Sequence, residues 1–297
     1  MILRGAHSEF PKLAEECVAC SGASFTDFVE SNNHQILRCC DCGLLLVSPR
    51  PSEGDIKKLF EDEYIGDENR VTFDFTAMRV ESLRREVNRI KRLMPGGGRL
   101  LDVGTASGAF LACFCGDPNW KVEGLEPSKF GAKAAARMTG CVVHQGFLRD
   151  QGFAAEAFDV ITSLDAFMFH PEPKMDLLEI SRILRPGGLL AIEIPGLRFR
   201  LLKNKGFLCR LIYRVPVRLN AGVHLFYYTR RTLGMLVRQF GFEEVAVFPE
   251  QSPLYGSWYT KIGNWAYFGL TNVLYRISGG FLNVVPKEFI VYRKAEK

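Results

Sequence analysis

Five residues carry the first chemical signal: Cys17 and Cys20, then Cys39, Cys40 and Cys42. Cys17-Val-Ala-Cys20 and Cys39-Cys40-Asp41-Cys42 are two C-x2-C turns separated by 18 residues. Two residues between thiolates let a tight turn aim both sulfurs at one ion, and two such turns complete a tetrahedron. Cys17, Cys20, Cys39 and Cys42 are therefore the expected ligands of a structural Zn2+, with Cys40 a bystander or a stand-in for Cys39; disulfides and a thioredoxin-type redox pair are the competing readings. Gly22 and Gly43 stand where a metal knuckle needs a small residue. Four thiolates leave no open coordination position, so this ion would organise the chain and do no chemistry itself.

A second signal is the run "LLDVGTASGAFL". Gly104 and Gly108 bracket a turn where a ligand can approach the backbone, with Thr105 and Ala106 inside it, and the helix that follows offers its N-terminal amides. Asp102 ends the strand before the turn, where it would repel a pyrophosphate but suit a ligand with cationic groups. Glu126 ends the next strand, 18 residues after Gly108, where a carboxylate can accept both hydroxyls of a ribose.

The third signal is a histidine in an acid-free region. Residues 194–242 hold ten Lys or Arg and no Asp or Glu, and His224 lies among them just before Tyr227 and Tyr228. An imidazole near its ordinary pKa suits general-base work at neutral pH; the competing reading is a buried histidine that orients the loop before a helix capped by Thr229. His170, after the fourth central strand, and Glu193, at the end of the fifth, are the other catalytic candidates.

The elements that must position these residues follow from the periodicity. Short apolar runs at Leu100–Val103, Lys121–Leu125, Val142–His144, Asp159–Leu164, Leu189–Ile194, Val245–Phe248 and Phe289–Tyr292 read as strands. Helical periods at Ser128–Met138, Lys174–Leu184 and Arg230–Phe240 lie between them. The alternation predicts an α/β chain with a doubly wound, Rossmann-like seven-stranded sheet. The expected organisation is a zinc-binding module at 1–60, a helical linker at 61–98 with a helix over Phe75–Met94, and a ligand-binding domain at 99–297 that carries the basic segment 194–242 and an apolar insertion at 250–286.

From Leu83 to Phe248 the chain resembles the class I S-adenosylmethionine-dependent methyltransferases. "LLDVGTASGAF", "GLEPS", "FDVITSLDAF" and "LRPGG" stand at that family's motif positions, in order. The resemblance implies an S-adenosylmethionine site built from Asp102, Gly104, Thr105, Ala106, Gly108, Glu126, Pro127, Phe147, Leu148 and Leu164. Ala106 departs from the family's common middle glycine, and Gly146-Phe147-Leu148 occupies the place of an adenine-contacting acid, leaving apolar contact by Phe147 or Leu148. The four-cysteine head followed by "CGLLLVSPRPSEGDIKKLFEDEY" looks like bacterial methyltransferases with a zinc-ribbon-like module, many of which act on sugars. Sugar C-methyltransferases of that group carry Tyr-His-Glu-His before an aromatic tail; here His224 and the tail are present and the Tyr-His-Glu is absent. Carbon methylation needs a paired acid and base, so a lone histidine fits a sugar hydroxyl better than a sugar carbon.

The expected acceptor is an anionic nucleotide-linked or lipid-linked sugar, recognised by arginine forks. A solvated basic face and peripheral contact with an anionic membrane, helped by the apolar insertion, are the other readings of the basic segment. Its Leu201, Leu208, Leu211 and Ile212 suggest an amphipathic helix. Two further functional readings are an RNA methyltransferase with a zinc head and a methyltransferase-like binding protein without chemistry. No basic–aromatic single-strand motif supports nucleic acid. The first residues hold no apolar run of signal-peptide length, and nine cysteines are expected to stay reduced in a cytoplasm. Cys113, Cys115, Cys141 and Cys209 read as core residues.

Overall fold

The computed structural model of the chain describes residues 15–31, 33–64, 77–203, 219, 221, 224–251 and 258–296. Cys209, the basic residues Lys205, Arg210, Arg214 and Arg218, and the apolar Leu208, Leu211 and Ile212 lie outside the described residues.

The chain begins with a small antiparallel meander, β1 (Phe25–Ser31), β2 (His34–Cys39) and β3 (Leu45–Ser48). Val47 and Ile36, paired across β2 and β3, are fully buried. Helix α1 (Glu53–Tyr64) follows, then α2 (Ala77–Leu93). In α2, Leu83, Val87 and Ile90 recur at helical spacing and bury one face, while Glu81, Arg84 and Asn88 stay exposed. That buried face shares a core with Leu100, Val160 and Phe289, so the stretch expected as a linker helix is part of the central domain's packing.

The central sheet is built from β4 (Gly98–Val103), β5 (Trp120–Glu126), β6 (Val142–Gln145), β7 (Phe158–Leu164) and β8 (Leu184–Pro195), all parallel, with β10 (Phe242–Glu250) and β11 (Lys287–Lys294) antiparallel at one edge. Its order is β10-β11-β8-β7-β4-β5-β6, the doubly wound seven-stranded arrangement expected from the sequence. The order reverses between β4 and β7, and ligands of such sheets sit beyond the carboxyl ends of the strands at that reversal. Strand β8 starts five residues earlier than expected. Phe158 pairs with Leu184 across a bulge, so the Pro-Gly-Gly run lies within the strand's span and does not precede it.

Helices α3 (Ala109–Ala112), α4 (Lys129–Thr139), α5 (Pro173–Ile183), α6 (Leu197–Lys203), α7 (Arg230–Arg238) and α8 (Trp258–Ile277) complete the chain. The Ser128 side chain caps α4, and Thr229 with Thr232 forms a reciprocal cap on α7. Among the described residues no helix is long and apolar enough to cross a membrane.

One pairing joins the two sheets. Strand β9 (Phe226–Tyr227) adds to β3, with Leu45 opposite Tyr227 and Leu46 opposite Phe226. The Val47 amide donates to the Leu225 carbonyl at 2.9 Å, and the Leu225 amide to Met168 at 3.0 Å. The segment holding His224 is thus clamped between the cysteine-rich head and the turn after β7. Cys17, Leu44 and Leu46 lie in one continuous core with Ile180, Leu233 and Ile192.

Candidate active site

Strand β4 delivers Asp102 and then turns through Gly104, which has φ +81°. A Cβ there would stand 2.5 Å from that of Ala166, so the turn presses against the chain leaving β7 and only glycine fits. Ala106 also has a left-handed φ, +52°. Its amide donates to Glu126 Oε2 at 2.9 Å, and the Ser128 amide donates to Glu126 Oε1 at 3.0 Å. Glu126 therefore braces the glycine turn, a role beyond the ribose contact expected of it. Asp102 is buried and accepts from Thr162 Oγ1 at 2.6 Å; burial raises its pKa to about 6.

Thr105 and Leu164 are buried at this end of the sheet, and Ala106, Pro127 and Phe147 are half-buried. Leu148 belongs to the hydrophobic core, which leaves Phe147 as the residue with exposed surface at the adenine position. Two buried carboxylates at the ends of β4 and β5 suit a ligand with cationic groups and ribose hydroxyls and oppose a pyrophosphate. The residues fit S-adenosylmethionine.

Beyond β7 and β8 lies a cluster of buried charge. Lys287, at the start of β11, donates to Glu193 Oε1 at 2.8 Å and also to Asp165. Arg79 approaches the same Glu193 oxygen at 3.9 Å. Burial alone would raise the Asp165 carboxyl, but Lys287 and Arg79 hold it down to about 2. Burial, reinforced by Glu193, pushes Glu86 well above the usual carboxylate range. Glu193, expected at the crevice mouth, is fully buried and ion-paired here.

Next to this cluster, His224, Arg200 and Tyr227 line a small recess with Met168 and Leu197. The terminal nitrogens of Arg200 lie 3.4 and 3.5 Å from Nδ1 and Nε2 of His224, whose ring stacks on Tyr227 at 5.9 Å. Burial, then the Arg200 cation, pushes the His224 pKa down to about 3, so the ring is neutral at physiological pH and well below the basicity expected from its ordinary value. Arg200 forms no close ion pair among the described residues; burial lowers its pKa, and Asp165 at longer range opposes the shift. The buried Tyr227 hydroxyl has no hydrogen-bond partner among the described residues. Tyr228 packs in the aromatic core against Phe226 and Phe167. His170 stands on the other side of the same turn, its Nδ1 2.8 Å from Asp176 Oδ2.

Asp165, Lys287, Arg79 and Asp176 were not among the residues singled out in the sequence. A lysine inside the apolar run "NVVPKEFIVY" was the one available signal, because an unpaired lysine is rarely buried.

In the head, Cys17 Sγ lies 3.6 Å from Cys42 Sγ, and Cys20 Sγ 3.6 Å from Cys39 Sγ. All four sulfurs lie within 4.8 Å of one another. The separations exclude disulfides and match the roughly 3.8 Å edge of a tetrahedron with ~2.3 Å zinc–sulfur bonds. Gly43 has φ +82° in this knuckle, and a Cβ on Gly22 would collide with Asp41. Cys40 points outward. The four cysteines fit a closed structural zinc site.

A doubly wound sheet with a glycine turn and two buried carboxylates at its reversal point defines an S-adenosylmethionine-dependent methyltransferase. The chain belongs to the methyltransferase-domain family, whose model matches residues 75–247. It is 29% identical over 103 residues to the 2-methyl-6-phytyl-1,4-hydroquinone methyltransferase of Synechocystis, covering 33% of this chain and 32% of that protein, so the match spans about a third of the relative's length. The fold is shared with an S-adenosylmethionine-dependent methyltransferase of Thermotoga maritima (TM-score 0.51, 21% identity, 81% of this chain and 100% of that one). It is also shared with the 1,6-didemethyltoxoflavin-N1-methyltransferase of Burkholderia thailandensis (TM-score 0.52, 15% identity, 86% and 98%).

Proposed function

We propose that the enzyme methylates a hydroxyl of a sugar carried on an anionic nucleotide or lipid phosphate. S-adenosylmethionine supplies a methyl group made electrophilic by its sulfonium. The observation that carries the reading is Arg200, a largely desolvated guanidinium in the recess that forms no close ion pair among the described residues and feels Asp165 only at longer range. A phosphate of the acceptor is the complement such a fork takes.

The residues around it have matching tasks. Tyr227 offers a buried hydroxyl for the acceptor's polar groups. His224, kept neutral, accepts a hydrogen bond from the acceptor hydroxyl and orients its oxygen for in-line attack; at a pKa of about 3 it aligns better than it deprotonates. The hydroxyl's single proton passes along that bond to His224 only as the new O–C bond makes the oxygen cationic and the donor's S–CH3 bond breaks, while His170, fixed by Asp176, holds the turn two residues beyond Met168 of the recess lining. Asp102 and Glu126 hold the donor; Lys287 with Glu193 and Asp165 keeps the floor between the two sites rigid.

The test is transfer of a labelled methyl group to four acceptor classes: nucleotide-linked sugars, lipid-linked sugar phosphates, neutral sugars and RNA. Product on a phosphate-bearing sugar supports the reading. Product on RNA alone, or on neutral sugars equally well, overturns it.

A further inference from the structure

A surface helix ordinarily turns its apolar face inward and its polar face to water. Helix α8 does the reverse. Its body-facing side is held by polar groups: Tyr275 Oη donates to Glu288 Oε1 at 3.2 Å, Tyr267 Oη donates to the Val284 carbonyl at 2.9 Å, and Thr271 is buried. Its outer side carries Ile262, Trp265, Leu270, Val273 and Ile277, with Phe281 just beyond; Trp265 is 68% exposed, Ile277 80% and Phe281 78%. Side chains of this size recurring along one exposed face form a contiguous apolar stripe of the kind that marks an interaction surface.

The stripe has a cationic rim. Arg276 lies on its outer face, and Arg198 reaches its end by donating to the Phe281 carbonyl at 2.8 Å. Helix α6 packs alongside through Phe199 and Tyr267, ring centroids 5.4 Å apart, and presents Leu202 and Lys203 to solvent. None of these three cations has a carboxylate partner among the described residues, and the sequence holds no acid at 195–242 or 251–287. A second copy of the chain would set two basic rims against each other. An anionic bilayer matches both parts of the surface, taking the apolar side chains below its headgroups and the cations among its phosphates.

We infer that α8 and the outer side of α6 dock the enzyme on an anionic membrane surface, lying in the interface without crossing it. Arg200 is on α6 too, so the helix that touches lipid on one side lines the acceptor recess on the other. Docking of this kind brings the recess to the plane where a lipid-linked phosphate would lie, yet it stands whether the acceptor is lipid-linked or soluble.

Sedimentation with vesicles of equimolar phosphatidylglycerol and phosphatidylcholine tests it, against vesicles of phosphatidylcholine alone. The full chain should sediment with the anionic vesicles and stay largely in solution with the neutral ones. Trp265→Ser with Leu270→Ser should lower partitioning by about tenfold or more, and Arg276→Glu by about fivefold or more. These side chains lie outside the donor site, so unchanged S-adenosylhomocysteine binding by the variants verifies their folding. Three results would overturn the inference: wild type remaining in solution with anionic vesicles, variants that partition as wild type does, or a wild-type dimer in velocity sedimentation that the double substitution splits into monomers.

Discussion

The Ala106 amide and Glu126 Oε2 are 2.9 Å apart, so the carboxylate expected to meet the donor's ribose also holds the donor turn in its left-handed shape. A left-handed alanine costs roughly 1–2 kcal/mol, partly offset because glycine would lose more backbone freedom on folding. Ala106→Gly should therefore stabilise the protein by up to about 1 kcal/mol, raising the melting temperature by a few degrees in a thermal unfolding scan. A lower melting temperature would show that the turn is unstrained.

The cysteine head should hold one zinc per chain by metal analysis, released by a thiol-modifying reagent. Because β3 hydrogen-bonds the segment that carries Tyr227 and His224, Cys42→Ser should raise the acceptor KM as well as lower stability. Zinc-free protein with unchanged acceptor kinetics would disconnect the two.

His224 makes stability depend on pH. Its folded pKa, about 3, lies below the ordinary 6.5, so the unfolded chain binds the extra proton between those values and stability falls as the solution is acidified through that window. Wild type should lose up to about 1.4 kcal/mol per pH unit relative to His224→Gln between pH 6 and 4. Parallel urea-unfolding profiles for the two proteins would contradict this.

Lys287 neutralises the buried Glu193 and the half-buried Asp165. Replacing it with Met leaves Glu193 and Asp165 without their main counterion, a change that should cost about 3–5 kcal/mol in denaturant unfolding. A cost below about 1 kcal/mol would mean that Arg79 and solvent already satisfy the acids.

All seven central strands were legible, because each is a short apolar run bounded by turn residues, and their ends differ mostly by one to three residues. The donor turn was legible for the same reason: Asp102, Gly104, Gly108 and Glu126 are close in sequence. Much of the acceptor side was not. Lys287 meets Asp165, 122 residues away, only because β11 runs antiparallel beside β8, a pairing that no local pattern encodes. The β3–β9 pairing was hidden likewise, since a two-residue strand has no periodicity to read. The shift on His224 depends on burial and on Arg200, both properties of the folded chain.

The central claim is that Arg200 receives the anionic part of the acceptor. Steady-state methyl transfer by wild type and Arg200→Gln, with a phosphate-bearing sugar acceptor at saturating S-adenosylmethionine, tests it most directly. A charge-assisted hydrogen bond worth about 1.5–3 kcal/mol predicts an acceptor KM raised roughly tenfold to a hundredfold, with donor affinity unchanged. An unchanged acceptor KM, or an equal loss of donor affinity, would contradict the account.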